Sequence, residues 1–466
     1  ANESFFSDSQ PSDATMFSST KNWYVNDGST AGDSFTYAGG ADTASGKGTP
    51  AAPFKSLAKV MQFVTAGDTI WLDAGTYGSD TWEMISATET AAVNLDTDNL
   101  TLIGKDSGAT VIDPPGEKTL TNLYGIYADT QTGLVIRNLA VTGAYEGIKL
   151  VNVDVSTITS DSFSSCGNAG VFFSYGCDTN TLSGNTANSN SYGIYLVKTS
   201  SYNTLSNNTT NSNSLHGIFL DNSSNNNTVT SNTSNSNTNY GILLASNSDS
   251  NTVSGNTVNL NSTGIYLNTT SINNALTSNT ANSNSSRGIV LDVTSKNNSL
   301  TSNTVSSNAF DGIWLAGSSN NVVSQNTLDS NGKYQIYIDG AASSDTVVKN
   351  NIKTSPTNPD SGIYNGSTAA TNKFTFTRNY WNSTDTARIK KMIFQASNGD
   401  SIIWQPFRLG LVDTTANADT TAPRAPDTVS VIGAPSDTSV ILEWSAVTAL
   451  EESNGGAVGL SGYRVY

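Results

Sequence analysis

A chain of 466 residues has room for a sizeable core and for more than one folded unit, so two domains is the starting expectation. A formal charge of −16 and a pI near 4.3 argue against nucleic acid and anionic membrane as partners, since both call for a basic face; a polyanionic polysaccharide would be repelled too unless cations bridged it. No apolar run approaches the roughly 20 residues that span a bilayer, so direct membrane insertion is not expected.

The chain starts at Ala1 without a methionine, as a mature protein does after removal of its signal, and secretion is expected on that ground. Residues 1–50 show no periodicity and read as an irregular N-terminal segment. "PFKSLAKVMQFV" then opens on Pro53 and places Phe54, Leu57, Met61 and Val64 on one helical face, which predicts a capping helix. "GDTIWLDAGTY" follows as the first predicted strand.

From there a repeat takes over. Its anchor is a glycine followed by an aliphatic residue: Gly147, Gly170, Gly193, Gly217, Gly241, Gly264, Gly288 and Gly312, spaced 23, 23, 24, 24, 23, 24 and 24 residues apart. Three asparagine series keep the same step. One runs Asn138, Asn185, Asn208, Asn232, Asn256, Asn279, Asn303, Asn326, with Asp161 filling its gap; a second runs from Asn180 to Asn321 and a third from Asn190 to Asn331. Between the asparagines, "GIYL", "NTLS" and "NTVT" alternate apolar and polar residues, the period of strands and not of helices. Short strands and asparagine corners repeated every coil predict a parallel β-solenoid, with the asparagines taking left-handed backbone at the turns and passing amide hydrogen bonds from coil to coil. Many of them also read as N-x-S/T, which in a ladder is a by-product.

This repeat resembles the right-handed parallel β-helix of the pectate-lyase-like superfamily, in its asparagine-rich form "NxxxxNxxGIxLxxSxxNxIxxN", over roughly residues 65 to 380. The resemblance implies an all-β fold. Lyases, epimerases, hydrolases, adhesins and surface-layer proteins share it, so it implies no single activity. The order "YVNDGS…PFKSL…GDTIWLDAGTY" is similar to the usual entry of such helices, and "RNYWNSTDTARIKKMIFQ" to a closing segment of the same group. The latter predicts an N-cap at Ser383 or Thr384 and a helix burying Ile389, Met392 and Ile393. The expected division is therefore 1–50 irregular, 51–410 capped β-helix, 411–424 linker and 425–466 a partial β-sandwich. That last segment resembles the first three strands of a fibronectin type III domain, with Trp444 and Tyr463 in core places, but it is about half the roughly 90 to 100 residues such a domain needs.

Candidate chemistry is sparse. Cys166 and Cys177 are too few for a disulfide framework, and their spacing leaves open whether they pair. His216, the only histidine, reads as a surface turn residue, and a histidine-based zinc site is not expected. Between residues 179 and 308 only Lys198, Asp221, Asp249, Arg287, Asp292 and Lys296 are charged. Asp221 and Asp292 occupy the same coil position but three coils apart, roughly 14 Å, too far for a glycosidase pair. Arg287 and Asp311 fall in adjacent coils as a structural ion pair. Asp106, Asp113 and Glu117, in the loop "GKDSGATVIDPPGEKTLTNLYG", are candidates for calcium.

The residue two after each glycine should point outward. That column reads Lys149, Phe172, Tyr195, Phe219, Leu243, Tyr266, Val290, Trp314 and Tyr337, a stripe that the first ~45 residues cover, that another copy packs against, or on which sugar rings stack. The expected function is a secreted or cell-surface structural or adhesive protein that self-associates or binds extracellular polysaccharide through this stripe. The alternative is a polysaccharide lyase or another carbohydrate-active enzyme, a glycoside hydrolase included.

Overall fold

Short alternating runs give short strands, and the corners between them give the molecule its shape. The computed structural model describes residues 20–395 apart from 44–46, 79–82, 117, 293, 356 and 369–373, then 405, 407, 408 and 410, and the backbone of 429–436 and 439–444. Three strand faces wind into a right-handed parallel β-helix. One is a 13-stranded sheet running from Asn22–Val25 through Thr69–Leu72 to Thr346–Val348, and a second is a 14-stranded sheet ending at Ile393–Gln395. A third, narrow face joins a 4-stranded to a 3-stranded sheet through single parallel bridges at Thr186, Thr209, Thr233, Thr257 and Thr280.

Equivalent residues stack on equivalent residues. Ile194, Ile218, Ile242, Ile265, Ile289 and Ile313 are successive register partners in the second sheet, and Leu205, Val229, Val253, Leu276 and Leu300 in the first. All are fully buried. A coil thus contributes only a few apolar side chains, each worth roughly 1.5–3 kcal/mol when buried, against about 1–2 kcal/mol of backbone entropy per ordered residue. One coil cannot stand alone; the stack can.

The corners supply the rest. Asn208 accepts the backbone N–H of Asn185 on its Oδ1 at 3.0 Å, while its Nδ2 donates to Leu182 O at 3.0 Å and to Asn232 Oδ1 at 3.0 Å. The same exchange repeats through Asn232, Asn256, Asn279, Asn303, Asn326 and Asn350 to Asn379, and in the other two series. The asparagines do form ladders, but two details differ from expectation. Left-handed backbone falls on the residue before each ladder asparagine, such as Ser212, Ser231, Ser236 and Ser278, while the ladder asparagines point inward and are buried. Asn138 is itself one of the left-handed residues (φ 61), and the ladder begins at Leu139 N–H donating to Asp161. Burial lifts the Asp161 carboxyl to about 8, so it serves the ladder as a neutral acid.

Both ends are closed. The N-terminal helix is shorter than predicted, Leu57–Val60 with Ser56 as N-cap, because Phe54 instead pairs in parallel with Val25 and stacks on Phe63. The segment expected to be irregular thereby contributes the strand Asn22–Val25. At the other end the helix is Thr386–Lys391, capped by Asp385 and not by Ser383 or Thr384; Ile389 and Met392 are buried, and Ile393 is half-buried at the start of the last strand. Cys166 and Cys177 are free, buried thiols flanking the strand Ala169–Ser174. Val429–Ser436 and Ser439–Trp444 pair antiparallel; the linker, Tyr463 and most of the fibronectin-like segment lie outside the described residues.

Asn232→Ala should leave the buried N–H of Asn208 without a partner and remove the side-chain donor to the carbonyl of Leu205, at a cost of about 2 kcal/mol or more. Exposed Thr238→Ala should stay within about 0.5 kcal/mol in the same denaturant titration. Equal effects for the two would remove the ladder from the account of stability.

Candidate functional site

The repeated glycine shapes the outer face of the 14-stranded sheet. A Cβ on Gly217 would point inward, 1.8 Å from Ser234 Oγ and 2.8 Å from the carbonyl oxygen of Gly241 in the next coil. Glycine and the following isoleucine therefore both face the core, and strict alternation is broken there as in a β-bulge. The residues on either side of that inward pair both turn out. Each coil consequently presents two neighbouring outward positions, the one before the glycine and the one two after it.

Aromatic rings fill both columns. Phe172, Tyr195 and Phe219 follow one another, with ring centroids 5.3 and 4.6 Å apart and the second pair stacked at 6°. Beside them Tyr192, His216 and Tyr240 form the parallel row, Tyr192 lying 5.0 Å from Tyr195 and His216 stacked on Tyr240 at 4.8 Å and 2°. Tyr240 then meets Tyr266 at 4.7 Å. A second block comprises Trp314, Tyr334, Tyr337, Tyr364 and Phe394, in contact at 4.8–6.2 Å. Between the blocks, Arg287 lies 4.0 Å over the Trp314 ring while its Nε donates to Asp311 at 3.0 Å.

Carboxylates edge the rows. Tyr195 donates to Asp221 at 3.2 Å, Tyr266 to Asp292, and Trp314 Nε1 to Asp339 at 3.0 Å, each acid sitting one coil on. Burial and these carboxylates push the Tyr195 and Tyr266 hydroxyls above their ordinary range, so both stay protonated donors. At the N-terminal end Lys149 Nζ meets Glu89 Oε1 at 3.1 Å and the Tyr124 hydroxyl at 2.7 Å, and that hydroxyl donates to the same Glu89 oxygen at 2.6 Å. Hydrogen bonds from Tyr124 and Lys149 hold Glu89 below its usual range. Beside them burial raises Glu146 to about 7; its Oε1 accepts from Asn168, and its Oε2 is closed off without a partner.

Of the stripe expected from sequence, Phe172, Tyr195, Phe219, Tyr266, Trp314 and Tyr337 are half-buried on this face, while Leu243 and Val290 are covered by their neighbours. His216 is a correction: it starts the strand His216–Leu220, packs among Tyr192, Phe219 and Tyr240, and is only 9% exposed. The row of Tyr192, His216 and Tyr240 was missed because strict alternation places the position before glycine on the inward side. Asp221 and Asp292 do not meet each other, and Arg287 with Asp311 is an ion pair. The described part of the N-terminal segment packs on the first coil, where Phe35 meets Trp71 edge-on at 4.9 Å, and not on the stripe; residues 1–19 lie outside the described residues. Asp106 accepts from Gly108 N–H in its own turn, burial raises the Asp113 carboxyl, and Glu117 lies outside the described residues.

A parallel β-helix with a paved aromatic face is the class that fold and face define. Residues 85–257 and 245–408 match the family described as periplasmic copper-binding protein (NosD), and the chain belongs to that family. Among solved structures it is similar to the periplasmic alginate epimerase AlgG (13% identity, 76% of this chain and 82% of that one, TM-score 0.44), pectate lyase Pel9A (17%, 71% and 78%, 0.40) and the Dettilon tailspike protein (16%, 66% and 65%, 0.47). No curated protein matches it in sequence.

The described residues do not fit a copper centre. Copper calls for imidazole, thiolate or thioether ligands. His216 is walled in by rings, and burial raises the thiols of Cys166 and Cys177 to about 12 and 11, so both remain protonated. Met61 and Met392 belong to opposite end caps and Met84 is exposed near the first coils. Among the described residues no three His, Cys, Asp or Glu side chains converge on a metal position.

Burial depresses the His216 imidazole to about 4, so it is neutral in the fold. Because the folded value lies below the unfolded one near 6.5, its contribution is complete above pH 6.5 and lost as pH falls toward 4. Glu146 and Asp345, raised to about 7, act in the opposite sense. The His216 C2–H resonance should titrate near 4, and the stability of His216→Phe relative to the wild type should rise as pH falls from 6.5 to 4. A midpoint near 6.5 would contradict the packed position.

Proposed function

We propose that this chain is a non-catalytic glycan-binding shaft working outside the cytoplasm, in the structural or adhesive role expected from its sequence. The observation that carries this reading is the recurrent pairing of an outward ring with a carboxylate one coil on: Tyr195 with Asp221, Tyr266 with Asp292, Trp314 with Asp339. Rings offer apolar faces to the C–H faces of sugars, and the flanking carboxylates accept their hydroxyls. Coils about 4.8 Å apart repeat on the scale of one sugar residue, so a chain laid along the sheet meets a new pair every two or three steps. The family's description as periplasmic supports the location, and among the described residues no helix is long and apolar enough to cross a membrane.

Cleavage is the second reading, favoured by the cluster of Glu89, Tyr124, Lys149 and Glu146. Two carboxyls with values driven apart is the pattern of an acid–base pair. Against it, the free oxygen of Glu146 is shut away from solvent.

Affinity electrophoresis against a panel of neutral and acidic polysaccharides tests both. Retardation by at least one polysaccharide is expected, with Tyr266→Ala and Trp314→Ala each weakening it about tenfold, roughly 1.4 kcal/mol. Tyr202→Ala, exposed at a corner away from this face, should change nothing. No retardation by any member would sink the glycan reading, and new reducing ends or unsaturated products would favour the enzyme.

A further inference from the structure

The N-terminal corner carries a feature that neither the ladders nor the aromatic face uses. The loop after Asn22–Val25 turns back over the first coil and is held by Asp73, whose two oxygens accept the backbone N–H groups of Ser34, Phe35 and Thr36 at 2.7 Å each. Asp73 also accepts from the Thr36 hydroxyl at 3.1 Å and from Ala74 N–H at 3.1 Å, so it is fully used. Its neighbours are not. Asn26 is fully buried, and its Nδ2 donates to Asp33 Oδ2 at 2.7 Å, to Thr36 Oγ at 2.9 Å and to Ala38 O at 3.0 Å. That leaves Asn26 Oδ1 and Asp33 Oδ1, both buried acceptors, with no donor.

Two orphaned acceptors on side chains that are themselves hydrogen-bonded to each other call for something positive. Leaving either unmatched costs about 1–3 kcal/mol. Asp27 adds a further carboxylate, one oxygen bound to Ser29 N–H and the other lying where a side chain on Gly75 would be, 2.5 Å from the position of a Cβ. Burial first, and then the charges of Asp27, Asp73 and Asp33, push the neighbouring Tyr77 hydroxyl above its ordinary range. The donors are an amide oxygen and carboxylates, hard ligands that suit calcium and not copper or zinc.

We propose that Asn26 Oδ1 and Asp33 Oδ1, with Asp27 beside them, hold one calcium ion that locks the loop 26–36 onto the first coil. The ion would fasten the terminal strand Asn22–Val25, which edges the 13-stranded sheet. With so few charged ligands the site belongs to the weak range of extracellular calcium modules, roughly 10⁻⁴–10⁻³ M. It uses neither Asp106 nor Asp113.

The test is calorimetric titration of calcium chloride into the chelator-treated full chain, with melting curves in calcium and in magnesium. One equivalent of calcium and a rise in Tm that magnesium does not reproduce are expected. Asp33→Asn should lose both while keeping the wild-type Tm in chelator to within a few degrees, and Asp106→Asn should keep both. Absence of calcium binding to the wild type would overturn the proposal. Calcium binding that survives Asp33→Asn would overturn it equally, by placing the ion elsewhere.

Discussion

Everything in this molecule hangs on the hydrogen bond from a backbone N–H at one corner to the asparagine oxygen of the next coil. Asn185 gives its N–H to Asn208, Asn208 to Asn232 and Asn232 to Asn256, at 2.8–3.0 Å throughout. A turn whose N–H points inward would otherwise bury an unmet donor in every coil, and the side-chain amide is the group that can both accept it and return a donor to a carbonyl two strands back. The period follows from this. Regular coils are 23 or 24 residues long because each asparagine lands over the last, and extra residues, as in the 29-residue step from Asn350 to Asn379, are absorbed between ladders. Where an acid replaces an asparagine, at Asp161 and Asp345, burial raises its carboxyl and favours the neutral form, since a charge in the ladder would have no counter-ion.

With cohesion assigned to the corners and the stacked isoleucines and leucines, the outer face of the 14-stranded sheet has no structural duty left. Its rings are not there to fill a core. The glycine makes two outward columns possible where simple alternation allows one, and it does so by removing a side chain that would strike the carbonyl of the following coil. Sealing of Leu243 and Val290 beneath larger neighbours shows that the rows are packed surfaces, preformed and rigid, with little ordering left to pay when a ligand arrives.

Sequence periodicity reveals whatever repeats with one period in one column. The β-helix, its ladders and the column from Phe172 to Tyr337 were legible for that reason. Asn138 was misassigned because the step between Leu139 and Asp161 is 22 residues, which moves the left-handed residue into the asparagine frame. His216, Tyr192 and Tyr240 were overlooked because the break at glycine reverses which residues face out. The pairing of Tyr195 with Asp221 and of Tyr266 with Asp292 spans 26 residues, a coil plus a sideways step, so it stands in no column at all. The orphaned oxygens of Asn26 and Asp33 lie outside the repeat, and only the folded loop brings them together.

A stiff stack of near-identical coils also limits what kind of function it can have. Each coil touches only its neighbours, so a contact made at Tyr195 has no hinge or lid through which to alter Trp314. What such a face can do is add. One ring on one sugar is worth on the order of 1 kcal/mol, too little for a discrete binding pocket, but an extended partner engaging successive coils collects several such contacts within one encounter. Arg287, pinned between Asp311 and Trp314, divides the rings into two blocks without breaking the face, so that addition continues across it. On the glycan-binding reading proposed above, long repetition, weak repeated contacts and a polymeric partner are three aspects of the same geometry, and the asparagine ladder makes the first of them possible.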